Sequence, residues 1–335
     1  MRLHDAATGD LRLALEDRSN SVLCCAFSKD GGAVATGGAD GGARVWDAAT
    51  GALRTTLLGH AGAVRGVAFD GDARRVATGG QDGSVRIWDA WTGTARKILL
   101  KGHTNYVLSV AFDGSGRRLA TASADATCRL WDPLAVLRGH AKEVTGCDFS
   151  RDGSLVVTVS RDNGVRVWDA ATGKLARKLS GHRRAGTCVA FARDGRAILT
   201  GSEDRTAVLW DAGGGAAIRA HGGHDGAVTA VAFTPDNKWL ATASADRSAR
   251  IHDASDGRFK LALHGHARDV SGVAFSSDGE LVATASFDGT CGVWDGAHGT
   301  LYALLRGHAR ELTCVAFSRD PERRALAKSA HRDAR

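Results

Sequence analysis

Long apolar runs are missing from this sequence, and none approaches the roughly eighteen residues that a membrane-crossing helix needs. The first thirty residues, which open MRLHDAATGDLRLALEDRSN, contain no apolar stretch long enough for an export signal. A cytoplasmic chain with no membrane segment is the expectation. The seven cysteines (Cys24, Cys25, Cys128, Cys147, Cys188, Cys291 and Cys314) form no Cys-x-x-Cys pair of the kind that holds zinc or does redox work. An odd count without export predicts reduced thiols, and Cys147 and Cys188, set in apolar runs, read as small buried hydrophobes. Also lacking are a Walker loop, an HExxH pair, and a GxGxxG between strand and helix. Helical periodicity long enough to carry such motifs is absent too. No catalytic, cofactor-binding or metal-ligating residue is therefore expected.

Acidic and basic residues are both plentiful, at 24% of the 335 residues together, and apolar residues reach 43%, enough to bury a core. The net charge of +7 raises the question of nucleic acid, which binds clustered Lys and Arg. Here the basic residues are scattered. Their densest group, Arg319 to Arg335, also carries Asp320, Glu322 and Asp333, and reads as a solvated, mobile end.

The chain is dominated by repetition. Gly-His pairs begin at residues 59, 102, 139, 181, 223, 265 and 307, and Trp-Asp pairs at 46, 88, 131, 168, 210 and 294, with His252-Asp253 filling the one gap. Where both markers occur, the His precedes the Trp or its replacement by 28 residues. One unit, Val64 to Leu100, reads VRGVAF, turn, VATGG, turn, VRIWD, turn, ARKILL. Short apolar runs rich in Val, Ile and aromatics, parted by Gly/Asp turns, predict a four-stranded antiparallel meander. Turn pairs such as Asp30-Gly31, Asp152-Gly153, Asp194-Gly195 and Asp278-Gly279 supply the positive φ that tight hairpins need.

A Gly-His and a Trp-Asp recurring at a period of about 42 residues make the chain resemble the WD-repeat proteins over nearly its whole length. The resemblance implies an all-β fold, a β-propeller of four-stranded antiparallel blades forming a single domain over 1–335. Complete units are expected at about 19–58, 61–101, 104–138, 141–180, 183–222, 225–264 and 267–306, with partial ones at 1–15 and 309–328. Three further positions repeat: an Asp six residues before the Trp, a Thr four before that Asp, and often a Ser two before it. In the family these form a hydrogen-bonded chain from Trp through Ser/Thr and His to the turn Asp. Carried over, the resemblance implies the sets His103, Ser123, Asp125, Trp131; His140, Ser160, Asp162, Trp168; His182, Ser202, Asp204, Trp210; and His266, Ser286, Asp288, Trp294.

Ser, His and Asp within reach of one another resemble a hydrolase triad. Recurrence in five units, with no GxSxG elbow to expose a Ser, points to a structural role instead. The extra histidines His221, His224, His264, His266 and His252 are too few at any one place for zinc and read as surface or structural groups, with His252 loosening its blade.

The ends are incomplete units. Arg2 to Gly9 matches Arg44 to Gly51, so the chain opens on a third strand followed by a fourth, Leu11 to Leu15. Leu312 to Phe317 is a first strand and Arg324 to Lys328 a degraded second. The two ends can build an eighth blade shared between them, with seven blades plus loose end strands as the alternative. The third unit is short: Pro133 follows Asp132 directly, and a stubby fourth strand is expected.

Function is expected to be non-catalytic: a monomeric scaffold binding other proteins or peptides on the loop face and channel mouth. By the family's pattern the informative positions are Arg65, Gln81, Tyr106, Leu108, Glu143, Thr145, Arg161, Glu203, Asp269, Ser271 and Phe287. Tyr106, Arg161, Arg65 and Phe287 lead, because aromatics and Arg dominate binding hot spots. A nucleic-acid-associated propeller, or a fragment serving as the sensor arm of a larger signalling protein, are the alternatives.

Overall fold

The computed structural model describes residues 1–5, 8–15, 21–100, 102–132, 135–308, 311–318 and 325–330. Seven antiparallel blades, each a four-stranded meander of contiguous chain, occupy 22–57, 64–100, 107–137, 144–179, 186–221, 228–264 and 270–305, and are numbered 1 to 7 in that order. The two ends pair with each other. Arg2–Asp5 lies antiparallel to Ala325–Ala330, in the register Arg2↔Lys328 to Asp5↔Ala325, while Leu11–Ala14 and Leu312–Phe317 flank that pair. The result is a composite four-stranded sheet. The rest of the basic tail from Arg319 onward lies outside the described residues.

First strands touch first strands all the way round: each packs on the next from Val22–Phe27 to Val270–Phe275, then on Leu312–Phe317, which returns to Val22–Phe27. That closed cycle places the first strands around the axis and the fourth strands at the perimeter. Second strands are the best buried, as in Ala33–Gly38 and Leu281–Ser286, where every residue is inside. Their sequences, AVATGG and LVATAS, are small enough for neighbouring sheets to close over both faces at interior packing density. Fourth strands are largely exposed; the third blade's is only Ala135–Leu137, the stub expected from Pro133. No helix of the described residues is long and apolar enough to cross a membrane.

Neighbouring sheets are joined by a recurring apolar pair, a leucine at the end of one fourth strand against the Trp of the next third strand. Leu15 with Trp46, Leu57 with Trp88, Leu137 with Trp168, Leu179 with Trp210 and Leu263 with Trp294 each share a buried cluster. Between blades 5 and 6 both members are histidine. His221 and His252 are buried, their rings 4.6 Å apart and inclined at 60°.

Candidate functional site

The loop face is built by the turn before each first strand and the turn between second and third strands. Each second strand carries its Thr and Ser two residues apart, so both point to the same side of the sheet. In blade 4 the Trp168 indole Nε1–H donates to Thr158 Oγ1 at 2.9 Å, and Thr158 Oγ1 lies 2.9 Å from His140 Nε2. His140 Nδ1 lies 3.0 Å from both Asp162 oxygens. One proton arrangement satisfies all four: the hydroxyl donates to Nε2, and Nδ1–H donates to the carboxylate. The same chain links Trp88, Thr78, His60 and Asp82; Trp131, Thr121, His103 and Asp125; Trp210, Thr200, His182 and Asp204; and Trp294, Thr284, His266 and Asp288.

The hydroxyl in this chain is the Thr, which corrects the expectation that placed Ser123, Ser160, Ser202 and Ser286 there. Those serines sit two residues nearer the turn. Ser160 donates to the Lys142 carbonyl at 3.0 Å and accepts from Asp162 N–H at 3.1 Å; Ser123, Ser202 and Ser286 do the same with Asn105, Arg184 and Arg268 and with their own Asp. They tie the two loops together rather than bridging Trp to His. A hydroxyl two residues past the Asp, which the sequence reading passed over, completes the carboxylate's shell: Thr127 on Asp125 at 2.6 Å, and Ser84, Thr206, Ser248 and Thr290 likewise. The repeated Ser or Thr at that offset was the available signal.

Burial lowers His140 to about 4, with Arg166 adding to the effect and Asp162 opposing it; His60, His182 and His224 are lowered by burial in the same way. The carboxylates go down as well. Burial alone would raise Asp82, but the Ala61 N–H, the Ser84 hydroxyl and His60 together hold it at about 2. The His140 imidazole is thus neutral, and its Nε2 faces Thr158, fully buried and already holding Trp168. Ser123 and Ser160 are thus turned to a carbonyl and away from the imidazole, whereas in blade 2 Ser84 Oγ lies 2.7 Å from Asp82 Oδ1 and 2.9 Å from His60 Nδ1, inside the carboxylate's shell.

Blade 6 departs from this pattern. His224 keeps Thr242 at 2.8 Å and Asp246 at 2.6 Å, yet His252 stands where Trp would donate to Thr242. Burial lowers His221 to about 4, with Arg219 adding to it, and His252 to about 3, with His221, His224 and Arg250 adding to it. All four ring nitrogens of His221 and His252 are buried without a hydrogen-bond partner among the described residues.

The first strands carry a second recurrent device. In every one, pairing with the second strand skips its second residue, as between Val144 and Gly146 or Val270 and Gly272. This bulge frees that residue's side chain to turn out of the sheet. Thr145 uses the freedom to donate to the Gly186 carbonyl of the next blade at 2.8 Å, and Thr187, Thr229 and Ser271 reach Val228, Val270 and Leu312 at 2.5, 2.5 and 2.6 Å. Two residues expected at a partner surface, Thr145 and Ser271, are therefore clasps between blades. Arg65 occupies the bulge in blade 2 and lies 2.8 Å from the Gln81 amide oxygen through Nε and Nη2. Leu108, half-buried, occupies it in blade 3.

Glu143, Arg161 and Glu203 are brought together. Arg161 Nε pairs with Glu143 Oε2 at 2.9 Å, both side chains remain exposed, and with Glu203, Ala124, Ala126, Ala141 and Ala185 they line an open depression of about 560 Å³. Glu203 also borders a second depression of about 770 Å³, lined by Arg183, Arg184, Arg205 and Asp225. These four were not singled out from sequence, although Arg183-Arg184 directly follows a Gly-His. Tyr106 is 48% exposed at another loop, and Phe287 and Asp269 share a main-chain hydrogen bond of 2.9 Å on blade 7.

Among curated proteins none matches the chain. The family model described as WD domain, G-beta repeat matches seven times, at residues 9–47, 51–89, 94–132, 133–169, 173–211, 215–253 and 257–295. Each match starts just before the fourth strand of one sheet and ends at the close of the third strand of the next, the same one-strand offset by which the first and last strands complete a sheet between them. Propellers of this type are in general non-enzymatic platforms for protein interaction. With its tryptophans, threonines, histidines and aspartates joined in the repeated chain and seven matches spanning most of its length, the protein belongs to the WD-domain, G-beta-repeat family.

Proposed function

We propose that this propeller binds partner proteins on its loop face, centred on the adjoining depressions of blades 3 to 6. One observation carries the reading. The polar side chains of that face divide into those consumed by the fold and a group that is not: among the described residues, the guanidinium groups of Arg183, Arg184 and Arg205 enter no ion pair with a carboxylate, although they crowd one depression. Cations held close together favour an acidic peptide segment, and Glu203 and Asp225 set limits on where its carboxylates can lie. Interspersed carboxylates make the same surface a poor match for a continuous phosphate backbone. Arg161, Glu143 and Glu203 extend the surface, and Tyr106, Phe287, Arg65, Gln81, Leu108 and Asp269 are its candidate outlying contacts.

The test is cross-linking of the full chain to its captured partners, with the cross-linked residues mapped. Cross-links are expected in the loops at 183–184, 203–205 and 225–227, and replacing Arg183, Arg184 and Arg205 together by Glu abolishes them. Cross-links confined to the outer strands, or unchanged by that triple replacement and by Tyr106→Ala, Arg161→Ala and Phe287→Ala together, refute the assignment.

A further inference from the structure

The first strands meet around the axis by one rule: the third residue of each faces the fourth residue of the next. Gly66 approaches Val110 to 3.3 Å, and Gly146 and Gly272 approach Val189 and Val315 to 3.5 Å, measured from where a Cβ would stand. Ser109 Oγ and Cys147 Sγ, the corresponding pair between blades 3 and 4, are 3.9 Å apart. At the joint between the composite sheet and blade 1 the two positions are Cys314 and Cys25, the single joint with cysteine in both places. Their sulfurs lie 2.8 Å apart although 289 residues separate them in sequence. Cys24, the neighbour of Cys25, points the other way, to the Val64 carbonyl of blade 2.

We infer that Cys25 and Cys314 form a disulfide that locks the ring, made by exchange with a small-molecule disulfide such as oxidised glutathione. An S–S bond is about 2.05 Å long, so the sulfurs have only about 0.8 Å to close. Both residues are half-buried. One thiol loses its proton and its thiolate attacks a sulfur of the reagent, expelling one glutathione thiolate; the second protein thiolate attacks the mixed disulfide and expels the other. Two protein thiols are oxidised, one glutathione disulfide is reduced to two thiols, and both protons pass to the leaving groups. The hydrogen bond to Cys314, with burial behind it, holds the Cys25 thiol well above its ordinary pKa, so exchange is slow at neutral pH and quickens as pH rises. The bond lies at the joint where the ends of the chain complete the ring, which the backbone elsewhere crosses directly. It therefore constrains a long loop of the unfolded chain, the situation in which a cross-link has most to restrict.

The full chain is incubated natively with oxidised glutathione at pH 8, alkylated and mapped by mass spectrometry, and its thermal unfolding is followed with and without dithiothreitol. The expected results are a Cys25–Cys314 linked peptide, loss of two of the seven alkylatable thiols, and a midpoint several degrees higher that dithiothreitol returns to its starting value. Cys314→Ala and Cys25→Ala each remove all three effects, whereas Cys24→Ala keeps them. Stable glutathione adducts without the link, a Cys24–Cys314 link, or a Cys25–Cys314 bond that leaves the midpoint unmoved would overturn the inference.

Discussion

Replacing the histidine pair between blades 5 and 6 by the apolar pair used at other joints, His221→Leu with His252→Trp, should stabilise the propeller and flatten its response to acid. At neutral pH the double variant regains an indole donor for Thr242, a bond made at 2.8–3.0 Å by the Trp of blades 1 to 5 and 7. Such a bond contributes about 1 kcal/mol net, and removing unpaired buried ring nitrogens recovers a further 1–3 kcal/mol or so. In acid the difference widens. Both histidines have native pKa values depressed below the ordinary value of 6.5, to about 4 and about 3, so the unfolded chain takes up protons first. The stability tied to their neutrality is complete above about pH 6.5 and drains away as pH falls from there toward 4 and then 3. Taken in full the shifts amount to about 3 and about 5 kcal/mol; solvent screening and local relaxation reduce the pair to about 3–4 kcal/mol together. Urea unfolding of the two proteins at pH 7.5, 5.5 and 4.5 measures this directly, since the remaining histidines titrate equally in both. His252→Trp alone should gain little, because the indole meets the His221 ring. If the double variant gains nothing at pH 7.5 and the two proteins lose stability in parallel down to pH 4.5, the account of the buried pair is wrong.

Thr158→Val strands the Trp168 N–H and exposes His140 Nε2 to an apolar neighbour, and is expected to cost about 2–4 kcal/mol in urea unfolding, well beyond the roughly 1 kcal/mol of Ser160→Ala. Thr145→Val removes the clasp onto Gly186 and should cost about 1 kcal/mol while leaving partner binding intact, which separates it from Arg161→Ala, expected to weaken binding with stability within about 0.5 kcal/mol of the parent. Gly59→Ala should cost about 1–3 kcal/mol in urea unfolding, because φ is 150° there and the Arg86 guanidinium has to swing away from the added methyl; an unchanged midpoint refutes it.

The repeat made the blades legible, because alternation and turn chemistry act over a few residues and recur seven times. It also made the ends legible: Arg2 to Gly9 and Leu312 to Phe317 each match a strand position whose neighbours lie at the other end of the chain. What could not be read was which of two hydroxyls on one face would be used. Thr158 and Ser160 differ only in distance from the turn, and the choice depends on where the loop carbonyl of Lys142 comes to rest. The same holds for Thr145 and Ser271, whose outward turn is created by a bulge with no residue-type signature. His221 and His252 were visible separately as odd residues, but their meeting depends on the packing of a fourth strand on the next sheet's third. On the loop face, Glu143, Arg161 and Glu203 proved to be neighbours, while the basic cluster beside them was hidden because its members come from two different turns.

The composite sheet imposes an order of events on synthesis. Its central pairing joins Arg2 to Lys328, so it cannot begin until the last of its strands has left the ribosome, long after blades 1 to 7 have had their own strands at hand. Closing a loop of that length costs about 3 kcal/mol more entropy than closing a ten-residue hairpin. The nascent chain must therefore spend most of its time as an open arc, with the edge of blade 1 bare. A helper that shields that edge, or a pause once Ala325–Ala330 has been made, would act on yield without touching the stability of the finished ring.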